Sequence, residues 1–245
     1  MKSKNPRPLI LTIFENSKYQ ELLSHIDADF IFYKCSGSKN IDQEYKNSII
    51  LSDITPNVKP DIFLCQNILT QYSIFHELAS ENRKPLLALH HNVPTSPAEI
   101  DAIYGLKFSK EIYYSVEHSY TWESRNSEII PPTVFKKSSI INYCLYLNNN
   151  RSFSNCLDIL EAMSNGNCVV SKPDLEVRNI INNGYNGFLY LDPKDEKSIV
   201  EKLLKNKDLI TEVGKNAIKT IDNKYSNENF IKNWNSLIYH YYNKE

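Results

Sequence analysis

Short apolar runs recur through the first 135 residues, at positions 9–14, 30–33, 62–65, 86–89, 112–116 and 129–130. Each is too short for a helix and is flanked by polar, helix-compatible chain, which predicts strands. Between two of them, Leu69, Tyr72, Ile74, Phe75, Leu78 and Ala79 form a broad apolar face at helical spacing over residues 68–80. Strands separated by helix-length intervals predict β–α–β units and a parallel sheet. Pro131 and Pro132 then interrupt the pattern. Neither can donate a ladder hydrogen bond, so a domain boundary is expected there, with one domain over 1–135 and a second over 136–245.

The second half repeats the alternation in shorter form. Residues 140–147 predict a strand and 148–155 a polar loop. A helix over 156–164 is expected to end at Gly166, followed by a strand at 168–171, a helix over 174–182 and a strand at 187–190. Asp192 followed by Pro193 marks a helix start that runs to Leu204. Ile210, Val213, Ala217, Ile218 and Ile221 mark another helix, and Phe230, Trp234, Leu237, Ile238 and Tyr241 a last one. Four of the six glycines fall late, at 166, 184, 187 and 214. So sparing a use places glycine where backbone freedom or close approach is needed.

Composition removes several function classes. Twenty-eight basic residues against 29 acidic ones leave a net charge of −1, without the cationic excess usual in a dedicated nucleic-acid binder. No apolar run approaches the roughly 18–20 residues of a membrane span. The basic start MKSKNPRPLILTIF has no small-residue cleavage site after it and reads as a first strand, so a cytoplasmic protein is expected. Five cysteines (35, 65, 144, 156 and 168) form no C-x-x-C pair. Cys65, Cys144 and Cys168 sit in apolar stretches and are expected to be small buried hydrophobes in a reducing compartment.

No G-x-G-x-x-G follows the first strand, and neither a Walker A motif nor a G-x-S-x-G elbow occurs. His76-Glu77 is not followed by a second metal-binding histidine at the zincin spacing. The D-x-D of Asp27-Ala28-Asp29 precedes a strand instead of following one, so no metal site is expected.

The informative segment is LDILEAMSNGNCVVSKPDLEVRNIINNGYNGFLYLDPKD. Glu161-Ala162-Met163, Gly166, Cys168-Val169-Val170, Ile180-Ile181 and Gly184-Tyr185-Asn186-Gly187 occur in order. With Tyr225-Ser226 and the Phe230 and Trp234 pattern of the tail, this resembles the donor-binding half of GT-B glycosyltransferases. The resemblance is to glycosyltransferase family 4, and in chain length to its short phage- or virus-type members; it covers about residues 139–243. It implies an α/β fold of two Rossmann-like halves with a truncated C-terminal half, and a last helix that packs back on the first domain. It implies transfer of a sugar from a nucleoside-diphosphate donor to an acceptor hydroxyl, with retention. The nucleotide-sugar is a substrate, and no separate cofactor is implied.

In that family the glutamate matching Glu161 holds the nucleotide ribose; spacing alone favours a solvated helix glutamate, and the surrounding motif turns the reading to ribose binding. Ser154 or Asn155 can cap the helix that follows the loop, whose free N–H groups suit a diphosphate. Arg151 can add a charge-assisted donor, or it is a solvated loop arginine. Many members carry a second glutamate eight positions before the first, where this chain has Phe153. The chain between Pro132 and residue 140 is also short for the family, and the usual phosphate-binding Arg and Lys have no counterpart. Lys136, Lys137, Arg151 and Lys172 are the nearby basic substitutes.

In the first half, PLLALHHNVP runs a strand into His90, His91 and Asn92. The strand's carboxyl end is where open α/β sheets bind ligands, and His91 best matches a family histidine at the active site. It is the catalytic candidate, aligning acceptor or sugar, with a loop-capping role as the alternative. His90, Glu117 and His118, with Trp122 nearby, are the acceptor-side candidates, a surface helix start being the other reading of Glu117 and His118. The acceptor itself stays open between glycan, lipid and modified nucleic acid. Two further readings stand beside the enzyme: a decayed nucleotide- or sugar-binding protein of the same fold, and a transferase acting on modified viral DNA. A homo-oligomer that completes the trimmed half is a further alternative.

Overall fold

The computed structural model describes residues 7–13, 17–33, 45, 47–51, 58–135, 141, 143–148 and 154–244. Two compact units divide the chain, Met1–Ile130 with Ile231–Glu245, and Pro131–Phe230.

The first unit opens with β1 (Leu9–Ile13), α1 (Ser17–Leu23), β2 (Asp29–Tyr33), β3 (Ser48–Leu51) and β4 (Ile62–Cys65). It continues through α2 (Ile68–Asn82), β5 (Leu86–Leu89), α3 (Pro97–Ile103), β6 (Lys110–Tyr113), α4 (Val116–Thr121) and β7 (Ser127–Ile129). Among the described residues the strands form one seven-stranded parallel sheet in the order β3-β2-β1-β4-β5-β6-β7. A parallel sheet is covered on both faces, so its strands read as unbroken apolar runs. β4 and β5 follow that rule, with all four residues of each buried. On one face Leu11, Ile13, Ile31, Phe63 and Ala88 pack with Phe75 and Ala79 of α2.

β3 was not among the expected strands. Its run SIIL is short, and Ile49 and Ile50 are exposed at the sheet edge. The apolar run at 112–116 also divides differently. β6 stops at Tyr113, and Ser115 caps α4 by accepting the His118 N–H at 3.0 Å, which ends the strand and starts a helix.

The second unit contains β8 (Leu145–Asn148), α5 (Ser154–Ser164), β9 (Cys168–Ser171), α6 (Leu175–Ile180), β10 (Phe188–Leu189), α7 (Pro193–Leu204) and α8 (Lys207–Lys224). Its described strands form a parallel three-stranded sheet in the order β10-β9-β8. Central β9 is buried throughout. Val169 packs with Leu160, Met163 and Ala217, whereas Cys168 and Val170 pack with Phe188, Leu203 and Val213. Cys65, Cys156 and Cys168 are buried free thiols. Cys144 departs from its expected burial: it lies in irregular chain before β8, at the sheet edge, and is exposed.

The final helix α9 (Asn227–Tyr242) has its residues from Ile231 onward in the first unit. Trp234 is fully buried there. Asn235 Oδ1 accepts the Asp27 N–H at 2.8 Å, the Tyr239 hydroxyl donates to Asp27 at 2.8 Å, and the Tyr241 hydroxyl donates to the Ser109 carbonyl at 2.6 Å. Asp27 and Asp29 both pair with Arg7, at 3.0 and 3.2 Å, so the D-x-D carboxylates serve an ion-pair network.

α5 ends as expected at Gly166, which has φ +78°. The Gly166 N–H bonds to the Met163 carbonyl and the Asn167 N–H to the Ala162 carbonyl, both at 3.0 Å, a Schellman pair. Gly214 of α8 lies directly over the Gly166 carbonyl, leaving no room for a Cβ. Gly184 is left-handed at φ +80° but faces open space. Gly187 has an ordinary φ, and a Cβ there would press on Ile181 and the Val169 carbonyl at 3.0 Å. These contacts set an expected contrast. Gly214→Ala forces α8 away from a backbone atom and lowers stability by about 3 kcal/mol. Gly184→Ala loses only the roughly 1–2 kcal/mol conformational cost of a left-handed residue. Urea midpoints of the two variants check the difference.

Candidate functional site

In the first unit the parallel strands bring their carboxyl ends to one edge, where the order reverses between β1 and β4. Thr12 on β1 donates its hydroxyl to the Leu64 carbonyl at 2.8 Å. Gln66, the first residue after β4, donates from its amide nitrogen to Thr12 Oγ1 at 3.0 Å and to Gln20 Oε1 at 3.1 Å. Its backbone N–H bonds to Gln71 Oε1 at 2.9 Å. With both amide hydrogens used, Gln66 Oε1 is the acceptor facing His91 Nε2 at 3.1 Å. That arrangement places the His91 proton on Nε2. Nδ1 then accepts from the Tyr114 hydroxyl at 2.5 Å. Tyr19 closes the other side, edge-on to the imidazole at 5.2 Å. His91 is therefore buried and neutral, with both ring nitrogens occupied. Burial, with a further contribution from nearby His118, pushes its pKa from the ordinary 6.5 down to about 3.

His90 points differently. Its ring stacks on Tyr113 at 4.3 Å and tilts against Trp122 at 5.1 Å. Its Nε2 is buried with no hydrogen-bond partner among the described residues. Burial first, then the charges of His118 and His91, holds its pKa well below the usual histidine range. His118 lies buried on α4, and its Nε2 donates to the Asn92 carbonyl at 3.0 Å, beside the Trp122 indole N–H at 2.8 Å. Burial lowers its pKa against the opposing backbone hydrogen bond. Glu117, one residue earlier, is exposed. The structure thus gathers His90, His91 and His118 and leaves Glu117 outside. Gln66, Gln20, Thr12 and Tyr114 were missed by the sequence reading. A polar residue directly after an apolar strand, as in FLCQN, was the available signal for Gln66.

In the second unit Glu161 lies two turns into α5 and is half-buried. α5 begins at Ser154, two residues earlier than expected, so Ser154 and Asn155 form its first turn. The first-turn N–H groups of a helix have no intrahelical partner, which makes them available to an anion. Lys172 is exposed immediately beyond the carboxyl end of β9. Arg151, Phe153, Lys136 and Lys137 lie outside the described residues, as do the side chains of Ser154 and Asn155. Among the described residues no group of three or more His, Cys, Asp or Glu side chains could hold a metal ion, and no helix is long and apolar enough to cross a membrane.

No protein-family model matches this sequence, and no curated protein does. The fold has clear relatives among solved structures. HepE from Anabaena, solved with UDP and glucose, superposes with a TM-score of 0.69 at 10% identity, over 96% of this chain and 100% of its own. A glycosyltransferase from Rickettsia africae gives 0.71 at 11% identity, over 98% and 100%. Sucrose-phosphate synthase from Thermosynechococcus elongatus gives 0.70 at 11% identity, over 96% and 99%. The fold is α/β and GT-B-like, with a reduced C-terminal half.

The buried histidine has a measurable consequence. Between pH 6.5 and about 3 the unfolded chain binds a proton at His91 that the folded chain does not. Stability therefore falls as pH drops through this window and is level above it, by about 1.4 kcal/mol per pH unit for each such group. In His91→Gln the slope of urea-unfolding free energy against pH is expected to be shallower by one proton. Equal slopes in the two proteins would contradict the neutral, buried imidazole.

Proposed function

We propose that this protein is a nucleotide-sugar-dependent glycosyltransferase that moves a sugar from a nucleoside diphosphate to an acceptor hydroxyl. The observation that carries the reading is the GT-B-like fold, alike over nearly the whole chain to a protein solved with UDP and glucose. The Glu161-Ala162-Met163 to Gly187 segment supports it by its resemblance to family 4 and that family's short phage-type members.

In this reading the bond between the anomeric carbon and the diphosphate oxygen breaks as a bond to the acceptor oxygen forms. The acceptor proton leaves with the released nucleoside diphosphate, and the configuration is retained. The protein's work is to position the reactants and to stabilise the charge on the leaving group. The groups assigned to that charge are the first-turn amides of α5, the ammonium of Lys172 and, from the sequence, Arg151. Glu161 accepts hydrogen bonds from the ribose hydroxyls. His90 and His91 align acceptor or sugar. His91 can offer a ring nitrogen only by exchanging its Tyr114 or Gln66 bond for one to a hydroxyl, which would make those two residues part of its positioning.

A thermal-shift panel of UDP, GDP, ADP and dTDP and their sugars tests the donor site on wild type and Glu161→Ala. A ligand at 100 times its Kd adds about 2.7 kcal/mol, enough to raise Tm by several degrees. The expected result is a shift with UDP that Glu161→Ala abolishes, followed by sugar release or transfer from the UDP-sugar. A shift without any turnover would make the chain a nucleotide-binding relative of the transferases, and no shift with any nucleotide would overturn the proposal.

A further inference from the structure

A cavity of about 530 Å³ opens in the second unit between the end of α6, the turn leading to β10 and the last turns of α8. Its lining includes Arg178, Lys219 and Lys224 and no Asp or Glu. All three cations are exposed, and none is ion-paired among the described residues. Arg178 and Lys224 stand in the last turns of α6 and α8, where a base complements the helix dipole. A helix terminus carries only about half an elementary charge, so two such ends leave most of the three cations uncompensated.

The uncharged polar groups of the lining point the same way. Its carbonyls are largely spent inside the protein: Asn179 O accepts from the Tyr225 hydroxyl at 3.2 Å, Ile180 O from Asn186 Nδ2 at 3.1 Å, and Tyr185 O from Asn216 Nδ2 at 3.1 Å. Asn182 O takes the N–H groups of Tyr185 and Asn186 at 3.0 and 3.2 Å. The buried Asn186 amide is used up as well, its Oδ1 by the Asn182 N–H at 2.7 Å and its Nδ2 also by Thr220 Oγ1 at 3.0 Å. These bonds tie the floor to α6 and α8. The charged groups left to the cavity are all donors, one guanidinium and two ammonium groups, with the neutral amides of Asn182 and Asn223 beside them.

We infer that this cavity is an anion site for a phosphate-bearing ligand, distinct from the residues assigned to the sugar donor. A guanidinium fork and two ammonium groups around a wide mouth match a group with several acceptor oxygens and more than one negative charge. A soluble phosphate compound and the headgroup of an anionic phospholipid share this chemistry.

The test is an amide NMR titration of the full chain with inorganic pyrophosphate, following Asn182, Asn186 and Thr220. Wild type is expected to show saturable shifts at these amides that weaken with added salt. The variant Arg178→Gln/Lys219→Gln/Lys224→Gln is expected to bind about tenfold or more weakly at them, and Lys219→Gln alone to show an intermediate loss if the triple variant is unstable. Glu161→Ala is expected to leave these shifts intact, which separates this site from the proposed donor site. Sedimentation with phosphatidylcholine vesicles containing phosphatidylglycerol then identifies the source. Co-sedimentation lost in the triple variant assigns a lipid headgroup, and pyrophosphate binding without co-sedimentation assigns a soluble phosphate. No shift at these amides in wild type, or a titration unaltered by the substitutions, overturns the inference.

Discussion

A parallel sheet buried on both faces leaves polar groups only at its ends. Each must find a partner inside the protein or remain available to a ligand. In the first unit one residue meets several of these demands at once. The Gln66 amide joins Thr12 of β1, Gln20 of α1 and His91 beyond β5, while its backbone N–H engages Gln71 of α2. The network occupies the carboxyl edge where the strand order reverses, the place at which open α/β sheets bind ligands. It fixes the His91 tautomer and ties the ends of three adjacent strands to two helices. His90, one residue earlier, turns its ring onto Tyr113 and Trp122 and escapes that network.

The second unit solves the same problem with Asn186. Its buried amide satisfies a backbone N–H, a backbone carbonyl and a threonine hydroxyl, closing the turn between α6 and β10 onto α8. Backbone carbonyls around that turn are consumed inside the protein, and the cations beside it line a cavity that holds no carboxylate. A whole-chain net charge of −1 conceals this local excess. Electrostatic character here belongs to a few side chains brought together by the ends of two helices, and composition averages it away.

Helix packing in this unit rests on a backbone contact. α8 approaches the end of α5 closely only because Gly214 has no Cβ above the Gly166 carbonyl, and Gly166 ends α5 because it tolerates a positive φ. The two glycines therefore act as a pair. The small sheet gains a tightly packed helical cover on β9 from a contact that no larger residue would permit.

The strands β4, β5 and β9 were legible to the residue because their runs are apolar throughout, and α9 because its apolar positions keep helical spacing. The parallel, GT-B-like α/β class followed from the alternation and from the Glu161 to Gly187 segment. Local rules also placed the left-handed end of α5 at Gly166. Other features were not local. β3 has an ordinary short sequence and is a strand because β2 offers it a ladder. Cys144 lies in an apolar run yet is exposed, since position at a sheet edge overrides composition. The protonation and burial of His91 depend on Gln66 and Tyr114, each more than 20 residues away in sequence. The cationic cavity depends on α6 and α8 meeting at their ends. Sequence by itself determined where backbone periodicity and glycine freedom suffice. Partners distant along the chain decide hydrogen bonding, pKa and local charge, so those awaited the tertiary structure.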